Sequence, residues 1–122
     1  MRSDERFREV FIALKAILKK HEKKLVVVTD DDDHYYLDSP IRRKDGKPIC
    51  FGAARIGKNY VSFHLMPVYG CPDLIKSMSP ELKKHMQGKS CFNFKASEPR
   101  LFKELAALTK AGLAGFKKLK LA

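Results

Sequence analysis

A chain of 122 residues that is 44% hydrophobic and 32% charged is long enough for one hydrophobic core and too apolar to stay disordered, so a single domain over 1–122 is expected. Its apolar run Leu25–Val28 falls far short of the ~20 residues that span a bilayer, and the polar start Met1–Glu5 is unlike a signal peptide. A cytoplasmic location without membrane attachment follows as the expectation. The net charge of +11 is uneven: residues 29–40 carry −5 and the rest of the chain +16, a field that attracts anions over roughly a Debye length.

In chain order, Ser3 is placed to cap a helix on which Phe7, Val10, Phe11, Leu14, Ile17 and Leu18 recur at spacings of three and four. Lys19, Lys20, Lys23 and Lys24 then complement the negative end of its dipole. The β-branched run Leu25–Thr29 reads as a strand, the acidic run Asp30–Asp33 as a loop, and His34–Leu37 as a second strand closed by Ser39-Pro40. Asp45-Gly46 and Gly57-Lys58-Asn59 are hairpin signals that join Ile41–Arg43, Lys47–Ala54 and Tyr60–Met66 into a meander.

Beyond Pro67 the pattern becomes helical. Cys71-Pro72 starts one short helix, and Ser79-Pro80-Glu81 starts another that Gly88 would stop. Ser90–Phe94 is a last short strand, and Ser97-Glu98-Pro99 opens a long helix in which Gly112 and Gly115 would allow close approach to a neighbour. This order predicts an α+β fold: a two-layer sandwich with an antiparallel β-meander packed against N- and C-terminal helices. The other sheet face is expected to stay partly open, floored by Cys50, Gly52, Ala54, Tyr60, Ser62 and His64.

The stretch from Gly46-Lys47-Pro48 through Phe51-Gly52-Ala53, Tyr60–Leu65, Ser79-Pro80-Glu81-Leu82 and Gly88-Lys89-Ser90 to Phe94, followed by the long helix, resembles the YdhG-like family. The likeness covers nearly the whole chain. It implies a compact α/β sandwich comparable to frataxin, in a bacterial family of largely unassigned function with at least one iron-handling chaperone among its members. Frataxin-type proteins carry metal on an acidic ridge over the first helix and the adjoining strand, whereas the first helix here is net basic.

Three constellations bear on chemistry. Asp30, Asp32 and His34 lie in an oxygen-rich run suited to hard cations or iron, but EF-hand spacing is missing, and a solvated acidic loop is the simpler expectation, with no resident cofactor. Gly88-Lys89-Ser90 is not a P-loop, since Lys83 stands where its first glycine must be; what survives is a basic corner of Lys83, Lys84, His85 and Lys89. A Cys50–His64 dyad would supply a cysteine-dependent enzyme, yet Cys50, Cys71 and Cys91 form no C-x-x-C pair and read as small buried hydrophobes.

No hydrolase, zincin or dinucleotide-binding motif is present. Nucleic acid is not expected, because Trp is absent and the aromatics follow core periodicities. The expectation is therefore a non-enzymatic module that binds an anionic small molecule or acidic protein partner on the open sheet face through Cys50, Arg55, Tyr60, His64, Lys89 and Asn93. The same face is compatible with homodimer contact.

Overall fold

A computed structural model describes residues 2–88 and 90–120. Helix α1 spans Arg2–Lys19 and is followed by a 3₁₀ turn, Glu22–Lys24. Strands β1 (Val26–Asp30), β2 (His34–Arg42), β3 (Pro48–Ile56) and β4 (Val61–Leu65) come next. Short helices α2 (Met66–Gly70), α3 (Pro72–Lys76) and α4 (Pro80–Lys83) lead to β5 (Met86–Gln87), β6 (Cys91–Phe94) and the long helix α5 (Pro99–Lys118). The six strands form one antiparallel sheet in the order β1-β2-β3-β4-β6-β5, so the fold is α+β as expected. Among the described residues, no helix is long and apolar enough to cross a membrane.

One sheet face is covered by helix. Val10, Leu14 and Leu18 of α1 and Leu105, Leu113 and Phe116 of α5 are buried against Tyr35, Leu37, Phe51, Ala54, Val61, Phe63, Leu65, Phe92 and Phe94 of the strands. Phe51 and Phe116 meet edge to face at 5.7 Å, as do Phe94 and Phe102 at 4.9 Å, a geometry favoured by the ring quadrupoles. Two apolar stripes at helical spacing therefore meet one apolar sheet face, and burying both is the main driving force for this arrangement.

Local expectations are corrected in four places. Helix α1 is already formed at Arg2, which puts Ser3 inside it. Strand β2 continues through Ser39 and Pro40 to Arg42: the ladder to β3 is irregular between Asp38 and Arg42, where a proline without an N–H is tolerated, and the buried Ser39 Oγ accepts from the N–H of Ile41 at 3.0 Å. The helix begun by Ser79 ends at Lys83, and Gly88 instead turns β5 into β6 with φ +78°, a conformation that glycine adopts without strain.

The fourth correction matters most for function. Leu37 pairs with Gly52 but Asp38 pairs with Cys50, so Phe51 is an extra residue in β3, a bulge that shifts the alternation of side chains. Phe51, Gly52 and Ala54 all face the helices. Gly52 lies against α1, where a Cβ would stand 2.9 Å from Leu18 Cδ2, and Ala54 is fully buried. Gly52 and Ala54 are consequently not part of the open floor.

Candidate functional site

Strands β2, β4 and β6 alternate buried and half-buried residues, the signature of one covered and one partly open face. Directly opposed residues share a face, and their Cβ atoms lie roughly 5 Å apart. Across the open face one row therefore runs His34, Arg55, Ser62, Asn93 over β2, β3, β4 and β6. The next row runs Tyr36, Ala53, His64, Cys91, Gln87, and a third begins with Asp38 and Cys50.

His64 is the centre of a polar contact set. Its Nδ1 lies 3.1 Å from Cys91 Sγ and 3.1 Å from Ser90 Oγ. Burial holds its pKa below the ordinary imidazole value, which favours the neutral ring at pH 7. Beside it, the Tyr36 hydroxyl donates to Cys50; that bond, with burial, pushes the phenol well above its usual range. Burial also pushes the Cys50 thiol up, with Asp38 and Cys91 adding repulsion. Burial likewise raises Asp38, partly offset by Arg42.

These shifts decide what the set can do. A cysteine nucleophile is activated by a low thiol pKa or a neighbouring imidazolium, and here Cys50 moves upward while His64 moves toward neutrality. The face presents the Cys50 thiol, the Tyr36 phenol, the Ser62 hydroxyl and the His64 imidazole beside the Arg55 guanidinium, with the Asp38 carboxyl in its third row.

The structure places the expected residues as follows. Cys50, Arg55, His64 and Asn93 share the open face. Tyr60, 39% exposed, lines a cleft of about 320 Å³ at the β4 and β6 side with His85, Asn93, Lys95, Ala96 and Glu98. Lys89 lies outside the described residues. Cys50 does not oppose His64: Ala53 does, and the regular register of β3 with β4 leaves Cys50 three residues along the strand from that pair. The imidazole meets Cys91 instead. All three cysteines are free and only partly buried, so they are not the core hydrophobes expected of them.

The basic corner is largely structural at His85, whose Nε2 is 2.9 Å from Glu98 Oε2 and whose ring stacks on Phe94 at 4.4 Å. The acidic run is divided between faces. Asp30 is the last residue of β1, opposes the core-facing Tyr35 and binds Lys15 Nζ at 2.6 Å, and that hydrogen bond keeps its carboxyl below the usual range. His34 opposes Arg55 on the open face. Asp32 lies in the turn and lines a cleft with Arg8 and Asp31. Among the described residues no three His, Cys, Asp or Glu side chains gather so as to hold a metal ion.

A pH dependence follows from His64. Its folded pKa lies below the unfolded value of about 6.5, so the unfolded chain binds more protons in that window and stability rises with pH through it. The melting temperature should therefore fall on going from pH 7.5 to pH 5.5, and a His64→Gln variant should show a shallower fall. An equally steep fall in the variant would place the linkage elsewhere, with His21, also depressed, as the remaining source.

Comparison with protein-family models, with curated proteins and with solved structures finds no match for this chain.

Proposed function

We propose that this protein is a small non-enzymatic binding module that takes an anionic small ligand on its open sheet face, with Arg55 as the anchoring group. The observation that carries this reading is the cross-strand row Arg55, Ser62, Asn93, three donor-bearing side chains side by side on adjacent strands. Arg55 is exposed and enters none of the ion pairs among the described residues. A guanidinium fork matches a carboxylate or phosphate bidentately, and hydroxyl and amide groups alongside supply the remaining hydrogen bonds. The neutral His64 and the thiols of Cys50 and Cys91 then shape the adjoining surface.

The helix-backed antiparallel sheet supports a YdhG-like, frataxin-comparable reading of the fold. Free cysteines support a reducing, cytoplasmic setting. The test is a thermal-shift titration at low salt with citrate and with a sugar phosphate, on the parent and on Arg55→Ala. Stabilisation of the parent with at least ~10-fold weaker binding by Arg55→Ala is expected. No stabilisation by either anion would count against the small-ligand reading and move attention to an acidic protein partner.

A further inference from the structure

On the other layer, the ends of α1 and α5 enclose a second cationic feature. A cleft of about 220 Å³ is lined by His21, Lys24, Lys110, Leu113, Ala114 and Lys117. Lys110, Leu113, Ala114 and Lys117 stand at spacings of three, four and seven, so they form one stripe of α5. Opposite them, the turn after α1 is closed by Lys24 N–H donating to His21 O at 3.0 Å, which sets His21 and Lys24 side by side.

We infer that this cleft is a binding site for a small phosphate ligand carrying two or more negative charges, of the size of inorganic pyrophosphate, held between Lys24 and Lys117 with Lys110 and His21 at its sides.

The first argument is unpaired charge. None of Lys20, Lys24, Lys110 and Lys117 is ion-paired to a carboxylate among the described residues. Glu22, the carboxylate nearest in sequence, accepts the Tyr35 hydroxyl at 2.8 Å instead. The second is like charge: Lys24 and Lys117 both line the cleft, and the nearness of Lys24 holds the Lys117 ammonium below its ordinary pKa. His21 is depressed by burial and then by Lys24, Lys20, Lys110 and Lys117 in turn. Four cations converging on one imidazole repel one another unless an anion is placed between them.

Helix-dipole compensation does not account for the arrangement. It explains a lysine in the last turn of α5, such as Lys117, but the effect fades within a turn and Lys110 lies two turns before the helix ends. The cleft also limits the ligand. It has only Leu113 and Ala114 as apolar floor and no aromatic ring on which a base would stack, so it suits a compact phosphate in preference to a nucleic-acid strand. The site is separate from the Arg55 face and does not rest on that reading.

The experiment is calorimetric titration with inorganic pyrophosphate at low salt, with the His21 imidazole followed by NMR. The parent should bind, and the His21 pKa should rise when pyrophosphate is present, because the anion offsets the charges of the four lysines. Lys24→Gln/Lys117→Gln should weaken binding at least ~10-fold. Without pyrophosphate, that variant should melt no lower than the parent, since it removes repulsion. Arg55→Ala, which removes the anchor of the sheet face, should leave the rise in the His21 pKa with pyrophosphate unchanged. Absence of binding by the parent, undiminished binding by the double variant, or an unchanged His21 pKa would overturn the site. Loss of the His21 response in Arg55→Ala would also overturn it, by moving the anion to the sheet face. Binding of a single-stranded oligonucleotide without binding of pyrophosphate would replace it with a nucleic-acid surface.

Discussion

Replacing Phe63 by alanine should destabilise the protein by about 3–5 kcal/mol, a large share of the total for a domain of this size. Phe63 is the middle residue of β4 and is fully buried. It opposes Ala54 on β3 and Phe92 on β6, whose ring centroid is 6.5 Å away. Ala54 is too short to fill the vacated space, and Phe92 is fixed in its own strand, so most of the cavity would persist. Urea unfolding checks the value: the midpoint should fall sharply with an unchanged slope. A loss below about 1.5 kcal/mol would show that the core collapses around the site. Because Ser62 and His64 flank Phe63 on the opposite face, the same variant should weaken any ligand held by the Arg55 row. Phe63→Leu, which keeps much of the volume, should preserve both properties better.

Much of this fold is legible in the sequence, because the apolar residues that drive burial recur periodically. The 3.6-residue stripes of α1 and α5 and the two-residue alternation of Val61, Phe63 and Leu65 each specify one buried face, and those faces meet as expected. Asp45-Gly46 also acts as read: Asp45 Oδ1 accepts from Lys47 N–H at 3.0 Å in the turn between β2 and β3. The short elements are less legible. Met66–Gly70 follows β4 without a break as helix α2, and the two-residue strand β5 exists only through its pairing with β6. Such pieces take their conformation from tertiary contacts, which local propensity does not encode.

The candidate site is legible by face and illegible by register. His64 and Asn93 emerge on one face because plain alternation holds along β4 and β6, and Arg55 joins them as the β3 residue opposite Ser62. It fails along β3, where the extra residue Phe51 puts Gly52 and Ala54 on the helix side while Cys50 stays on the open face. A fully apolar Phe51 within an otherwise small-residue strand is the signal that could have revealed this, since an aromatic of that size must face the helices. Cys91 and Ser90 escape notice as partners of His64 for another reason: β6 pairs with β4 across 26 to 27 residues of chain, and no local pattern announces which strand will be the neighbour. The converging lysines on α5 and after α1 look like solvated helix charges in the sequence, and only the tertiary contact between the two helices brings them together.

The packing of α5 against α2 can be tested at Gly112. Gly112 of α5 lies against Pro67 of α2, and a Cβ placed on it would stand 2.8 Å from Pro67 Cβ and 3.1 Å from Pro67 Cγ. The proline ring cannot rotate away as a flexible side chain would, and its own carbonyl is engaged by Cys71 N–H at 2.7 Å. Gly112→Ala sets a propensity gain of about 1 kcal/mol against this overlap. Overpacking of a well-filled contact costs about 1–3 kcal/mol, so the alanine variant should be level with the parent or below it. Gly112→Val adds two methyl groups and loses the propensity gain, and a destabilisation of about 3 kcal/mol is expected. Ala111→Val, at the exposed neighbouring position, isolates β-branching in the same helix and should cost no more than about 0.7 kcal/mol. A Gly112→Val variant no less stable than Ala111→Val would mean that α5 yields freely from α2.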